Sequence, residues 1–183
     1  MPRPENHEKP ALTGQLLPAL LSRPGARIIT LTSSVAAQGR IDLADLNSEG
    51  RYRFVDAYSA SKLGNLMFAI ELDRRAKAAG AQLVSVAVNP GIVKTSLLRY
   101  KRDQWGRRPG PGELAVVAVQ RLFGQIPGEG CLPTLYAAAA TGIRGGEYVA
   151  PGGPGHKRTR PAPAQPPRRA LDPGTACGRH PPG

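Results

Sequence analysis

Tyr58 stands four residues before Lys62 in the stretch A-Y-S-A-S-K, residues 57–62. On a helix this spacing puts both side chains on one face, one turn apart, so phenol and ammonium share the same space. A free tyrosine titrates near ~10 and is a poor acid or base at neutral pH, but a fixed ammonium nearby favours the phenolate. Such a pair can pass a proton to or from an alcohol or carbonyl oxygen. A serine hydroxyl aimed at that oxygen would hold the substrate and stabilise the charge developing on it. Ser34 ends the run R-I-I-T-L-T-S-S, at the carboxyl end of a predicted strand, where open α/β sheets place their ligand-binding residues. Ser33 is the structural alternative. The motif alone is weak, since a tyrosine on an amphipathic helix is usually packing and a nearby lysine usually solvated.

The surrounding elements must position these groups. Residues 11–22, A-L-T-G-Q-L-L-P-A-L-L-S, put leucines on one helical face, with Pro18 expected to kink or end a turn. Residues 27–32, R-I-I-T-L-T, have the β-branched composition of a buried parallel strand. A long polar connection over 35–56 follows. From Asp56, read as an N-cap, a helical pattern runs to Ala79 and stops at Gly80. Leu63, Leu66, Met67 and Ile70 form its inward stripe. L-V-S-V-A-V, residues 83–88, reads as a second buried strand, broken by Asn89-Pro90-Gly91. Residues 101–112 read as an exposed loop, 113–123 and 132–140 as helices, and 146–149 as a last strand. This order implies right-handed crossovers over a parallel sheet, an α/β fold.

Composition bounds the function classes. The chain of 183 residues has room for one domain with a core, but its 22 glycines and 19 prolines suggest that part of it does not pack. Nine prolines fall in residues 151–183, with six basic residues against Asp172 alone, a net +5 of the chain's +12. Residues 1–150 are therefore assigned to the domain and 151–183 to a Pro/Gly/Arg-rich tail expected to be disordered. The tail's charge is a poor argument for nucleic-acid binding, because no aromatic residue lies among its charges to stack on bases. Cys131 and Cys177 form no C-x-x-C pair, and His7, His156 and His180 lack metal-ligand spacing, so neither a disulfide framework nor a metal site is expected. No apolar run reaches the ~18 residues of a membrane span, and the polar start does not read as a signal peptide. A cytoplasmic chain is the expectation.

Residues 27–98 resemble the short-chain dehydrogenase/reductase family, in particular its retinol-dehydrogenase-like branch. R-I-I-T-L-T-S-S-V-A is similar to that family's strand ending in the catalytic serine, with Ser34 at the matching position. G-R-I-D-L-A-D-L, residues 39–46, is similar to an insertion of this branch, and accounts for the separation of Ser34 from Tyr58. A-Y-S-A-S-K-L-G-N-L resembles the active-site helix, and V-N-P-G-I-V-K-T-S-L, residues 88–97, the P-G-x-V-x-T segment that lies along the nicotinamide and phosphates. G-E-G-C-L-P-T-L-Y-A-A and G-G-E-Y-V-A-P-G-G resemble the branch's C-terminal helix and final strand.

The resemblance implies a partial Rossmann-like, doubly wound parallel sheet and an NAD(P)-dependent oxidoreductase acting on a lipophilic alcohol, aldehyde or ketone, with NADP favoured over NAD. It makes Tyr58 the proton donor or acceptor, Lys62 the group that lowers its pKa and binds the ribose hydroxyls, and Ser34 the holder of the substrate oxygen. Pro90 and Gly91 would let the backbone approach the nicotinamide, with Val93 offering an amide and Thr95 a hydroxyl. The helices at 11–22 and 57–79 would form a homodimer interface. The family's T-G-x-x-x-G-x-G loop and N-N-A-G are not in this sequence, so it reads as the C-terminal part of such a domain, a truncated product or a mis-called start. Gly124–Gly130 does spell G-x-x-x-G-x-G, but it follows a predicted helix and contains Pro127, which a pyrophosphate loop does not. A non-catalytic fragment keeping only an interaction surface is the competing expectation.

Overall fold

The computed structural model describes residues 8–46, 49–50, 52–94, 111–152 and 160–172. Its first element is α1 (Glu8–Leu21), which continues through Pro18 rather than ending there. β1 (Ala26–Leu31) follows, then a short 3-10 turn (Ser34–Gln38) and the long helix α2 (Phe54–Ala78). β2 (Leu83–Val88) leads through α3 (Pro111–Phe123), the single turn α4 (Pro127–Gly130) and α5 (Leu132–Ala139) to β3 (Tyr148–Pro151). The described chain ends with β4 (Pro161–Ala164) and α6 (Arg168–Leu171).

The sheet runs β1-β2-β3-β4, with the first three strands parallel and β4 antiparallel to β3. β1 and β2 pair without a break from Ala26↔Leu83 to Leu31↔Val88, so their carboxyl ends lie level. Alternating side chains of a strand face opposite sides of a sheet. Ala87, Tyr148 and Ala150 accordingly pack against Leu63, Leu66 and Ala69 of α2. Val86, Val88 and Val149 face the other way and enclose Ala137 of α5. The sheet is therefore covered on both faces, as the parallel-strand composition requires. Leu63 and Leu66 are fully buried, with Met67 and Ile70 beside them, which is the inward stripe expected of α2.

The start of α2 differs from expectation. Its N-cap is Arg53, and Asp56 lies inside the first turn, paired with Arg53 at 3.4 Å. A carboxylate there still meets the positive end of the helix dipole. At the other end Asp73 is buried, bound to Lys77 at 2.6 Å, and Lys77 donates to the Gly145 carbonyl at 2.8 Å. This ties the last turns of α2 to the loop that enters β3.

The expected disorder of the tail needs correction for residues 160–172. β4 pairs with β3 over four residues, Ala170 enters the core on the α2 side, and Arg169 Nη1 donates to the Gly39 carbonyl at 3.0 Å. Composition argued against packing here, yet a strand edge and a small apolar niche suffice, because β3 supplies the hydrogen-bonding template. Of the expected loop over 101–112, residues 101–110 lie outside the described residues, as do the three histidines, whereas Pro111 and Gly112 already belong to α3. Among the described residues, no helix is long and apolar enough to cross a membrane, and no group of three or more His, Cys, Asp or Glu could hold a metal ion.

Candidate active site

β1 ends at Leu31, and the chain stays extended through Ser33 (φ −158°, ψ 160°) before turning. The Ser33 side chain does not cap the 3-10 turn that follows. Its hydroxyl lies near enough to Tyr58 to lower the pKa of that phenol. Ser33 is half-buried, whereas Ser34, the serine chosen from sequence, is the exposed first residue of the turn.

Tyr58 and Lys62 do lie on one face of α2, with Lys62 Nζ over the Tyr58 ring, 5.5 Å from its centroid. That is within cation–π range. Phe54, one turn earlier, stacks on the same ring at 5.9 Å between centroids and 21° between planes. The ring is thus held between an aromatic neighbour and a cation. Burial raises the Tyr58 pKa above its ordinary value, and the Ser33 hydroxyl pulls it part of the way back. The depression expected from Lys62 does not appear: desolvation of the phenolate dominates, and the lowering influence is Ser33.

The second segment leaves β2 beside β1. Asn89 is fully buried; its backbone N–H donates to the Val149 carbonyl at 2.8 Å, and its Oδ1 accepts the Gly91 N–H at 3.0 Å. Gly91 has φ 78°, a left-handed conformation that a residue with a Cβ adopts only with strain. Pro90 and Gly91 therefore form a fixed turn at the carboxyl end of β2, next to the strand end that carries Ser33. Asn89 Nδ2 is buried without a well-formed hydrogen bond among the described residues. Val93 pairs with Gln125 in a parallel bridge, and the Gln125 N–H donates to the Ile92 carbonyl at 2.8 Å. A Cβ at Gly130 would collide with a Val93 methyl. The G-x-x-x-G-x-G stretch thus follows α3 and buttresses Val93. Thr95 lies outside the described residues.

The structure brings together Ser33, Tyr58 and Lys62, with the Pro90-Gly91 turn on the adjacent strand. Sequence reading missed Asn89, although it lies within the quoted V-N-P-G, and it missed Thr32 and Asn65. Asn65 was findable, as a polar residue set between Leu63 and Leu66 on the inward side of α2.

No family model matches the chain. Among characterised proteins it is 34% identical to mouse retinol dehydrogenase 14 over 134 residues, which cover 73% of this chain and 38% of the relative. It is also 34% identical to mouse polyprenol dehydrogenase over 148 residues, covering 75% of this chain and 41% of the relative. The short chain dehydrogenase/reductase dpmpH of Macrophomina phaseolina is 36% identical over 129 residues, with 65% and 53% covered. The crystal structure of an uncharacterized protein from Mycobacterium paratuberculosis matches with a TM-score of 0.63 and 34% identity, over 91% of this chain and 50% of that one. The chain thus spans about two-fifths of the length of the mouse relatives. With strand, active-site helix and P-G turn in the family's order on a doubly wound sheet, this chain belongs to the short-chain dehydrogenase/reductase family, on its retinol-dehydrogenase-like branch.

Proposed function

We propose that the chain carries the proton-transfer site of an NAD(P)-dependent oxidoreductase that interconverts a lipophilic alcohol and its carbonyl. The observation that carries this reading is the Lys62 ammonium over the Tyr58 ring, 5.5 Å from its centroid, with Ser33 close to the phenol at the carboxyl end of a parallel strand. In reduction, Tyr58 gives its proton to the carbonyl oxygen while Ser33 holds that oxygen, the role that sequence had given to Ser34. A phenol kept protonated by burial is suited to donate; in alcohol oxidation it must first lose its proton, which Lys62 favours once a substrate brings its ammonium to bear.

A bound nicotinamide dinucleotide would supply or take the hydride. The residues present fit its nicotinamide end: the Pro90-Gly91 turn, with Gly91 at φ 78°, offers a close backbone approach. Lys62 would bind ribose hydroxyls, and Val93 and Thr95 would add an amide and a hydroxyl. NADP is favoured over NAD. Retinol and polyprenol are the alcohols named for the mouse relatives, and a similarly lipophilic alcohol, aldehyde or ketone is the substrate class proposed here.

A second reading, a non-catalytic chain acting through an interaction surface, draws on Leu12 and Leu16 of α1, which are 57% and 50% exposed. They suit the homodimer contact through α1 and α2. The experiment is reduction of a lipophilic aldehyde at millimolar NADPH by the chain and its Y58F, S33A and S34A variants. Slow turnover lost in Y58F and S33A but kept in S34A supports the catalytic reading. An active Y58F sinks it, and an inactive wild-type chain favours the second reading.

A further inference from the structure

Two hydrogen bonds cross between β1 and α2 beside the Ser33–Tyr58 pair. Thr32 Oγ1 donates to the Lys62 main-chain carbonyl at 2.7 Å, and Asn65 Nδ2 donates to the Leu31 main-chain carbonyl at 3.0 Å. Both side chains are buried, Thr32 at 2% and Asn65 at 5% exposure. The strand therefore grips the helix at Lys62, and the helix grips the strand one turn further on.

A buried hydroxyl and a buried amide lose stability unless their hydrogen bonds are made, and apolar residues of similar size would fill these positions without that requirement. What the polar pair adds is direction. Apolar packing between a helix and a strand tolerates small slides, whereas a hydrogen bond loses strength steeply away from its preferred length and angle. The tolerance at a proton-transfer site is narrow: a slip of α2 by one residue moves a side chain about 1.5 Å along the axis and about 100° around it. A displacement of ~1 Å at reacting atoms can cost about a hundredfold in rate.

We propose that Thr32 and Asn65 are positioning residues, a two-bond clamp that fixes the register of β1 against α2 and so holds Ser33 against Tyr58 and Lys62. Each acts from a position next to the site: Thr32 precedes Ser33, and Lys62 and Asn65 follow Tyr58 on successive turns of α2. The inference rests on the Ser33–Tyr58–Lys62 reading of the site.

The test follows the titration of Tyr58 in the 183-residue chain without cofactor or substrate, by carbon-13 NMR of labelled tyrosine, with the signal assigned by its loss in Y58F. Thr32→Val removes the hydroxyl at constant shape, and Thr32→Ser keeps it. We expect T32V to move the Tyr58 titration upward, as S33A does, because S33A removes the hydroxyl that lowers it and T32V releases the register that holds that hydroxyl in place. The T32V/S33A double variant should then move it no further than S33A, and T32S should match the wild type. Asn65→Leu serves as the second probe, and is decisive if T32V does not fold. A Tyr58 titration unmoved in both T32V and N65L, while S33A shifts it, overturns the clamp and leaves the site reading standing. An S33A variant that leaves Tyr58 unmoved overturns the site reading and the clamp together.

Discussion

Lys62 Nζ stands over the face of the Tyr58 ring, 5.5 Å from its centroid, on the same helix face one turn away. In this position the cation anchors the ring. The protonation state of the phenol is governed by its burial and by Ser33. Tyr58 is therefore a neutral acid at physiological pH in the unliganded chain.

That state has a consequence at alkaline pH. A tyrosine whose folded pKa is raised above 10.0 contributes stability that is fully present below that pH and is lost as pH rises through the folded value. Tyr148, whose pKa burial also raises, acts in the same sense. Denaturant midpoints measured from pH 8 to 11 should fall above 10 in the wild type and fall less in Y58F. An equal fall in both would mean that Tyr58 does not titrate as a buried group.

Asn89 holds the turn that would face the nicotinamide. Asn89→Ala should lower stability by about 1–3 kcal/mol by leaving the Gly91 N–H without its acceptor. It should also speed hydrogen exchange at Gly91. Asn89→Asp keeps the acceptor and should protect Gly91 as the wild type does. Unchanged exchange in the alanine variant would show that the turn is set by Pro90 alone.

Gly39 is a close-approach position. A Cβ there would lie 2.5 Å from the Ser59 carbonyl oxygen and 2.9 Å from Leu63 Cβ, so the 3-10 turn would be forced off α2. Gly39→Ala is expected to cost about 1–3 kcal/mol, read as a lower unfolding midpoint. A stability equal to wild type would mean that the turn and helix part easily.

The segment carrying β4 and α6 should resist protease where its composition suggests that it would not. Arg169 is tied to Gly39 and Ala170 is 5% exposed, so trypsin should cut slowly after Arg169 in the folded chain. Ala170→Asp would bury a charge and should open that site. Rapid cleavage after Arg169 in the wild type would show that the segment is not packed.

Nucleotide affinity in this fold depends on a glycine turn and a helix N-terminus that meet the pyrophosphate, and among the described residues no such loop follows a strand. Calorimetric titration with NADH and NADPH should give a Kd in the millimolar range, about −4 kcal/mol. Micromolar binding would require a pyrophosphate site built from other residues.

Much of this protein was determined by local pattern. The strands at 26–31 and 83–88 were legible because a parallel strand covered on both faces must be apolar throughout. The inward stripe of α2 and the shared face of Tyr58 and Lys62 followed from the helical repeat alone. The tertiary structure decided whatever depends on residues brought together from far along the chain. Ser33 comes close to Tyr58 because the chain stays extended two residues past its last ladder pair before turning. Thr32 and Asn65 find their partners 30 and 34 positions away, which no periodicity encodes. Residues 160–172 carry the composition of an unpacked tail, yet β3 offers them an open edge and α2 a niche for Ala170. Propensity speaks for a segment by itself, whereas an edge or a niche exists only once the rest of the chain has folded around it.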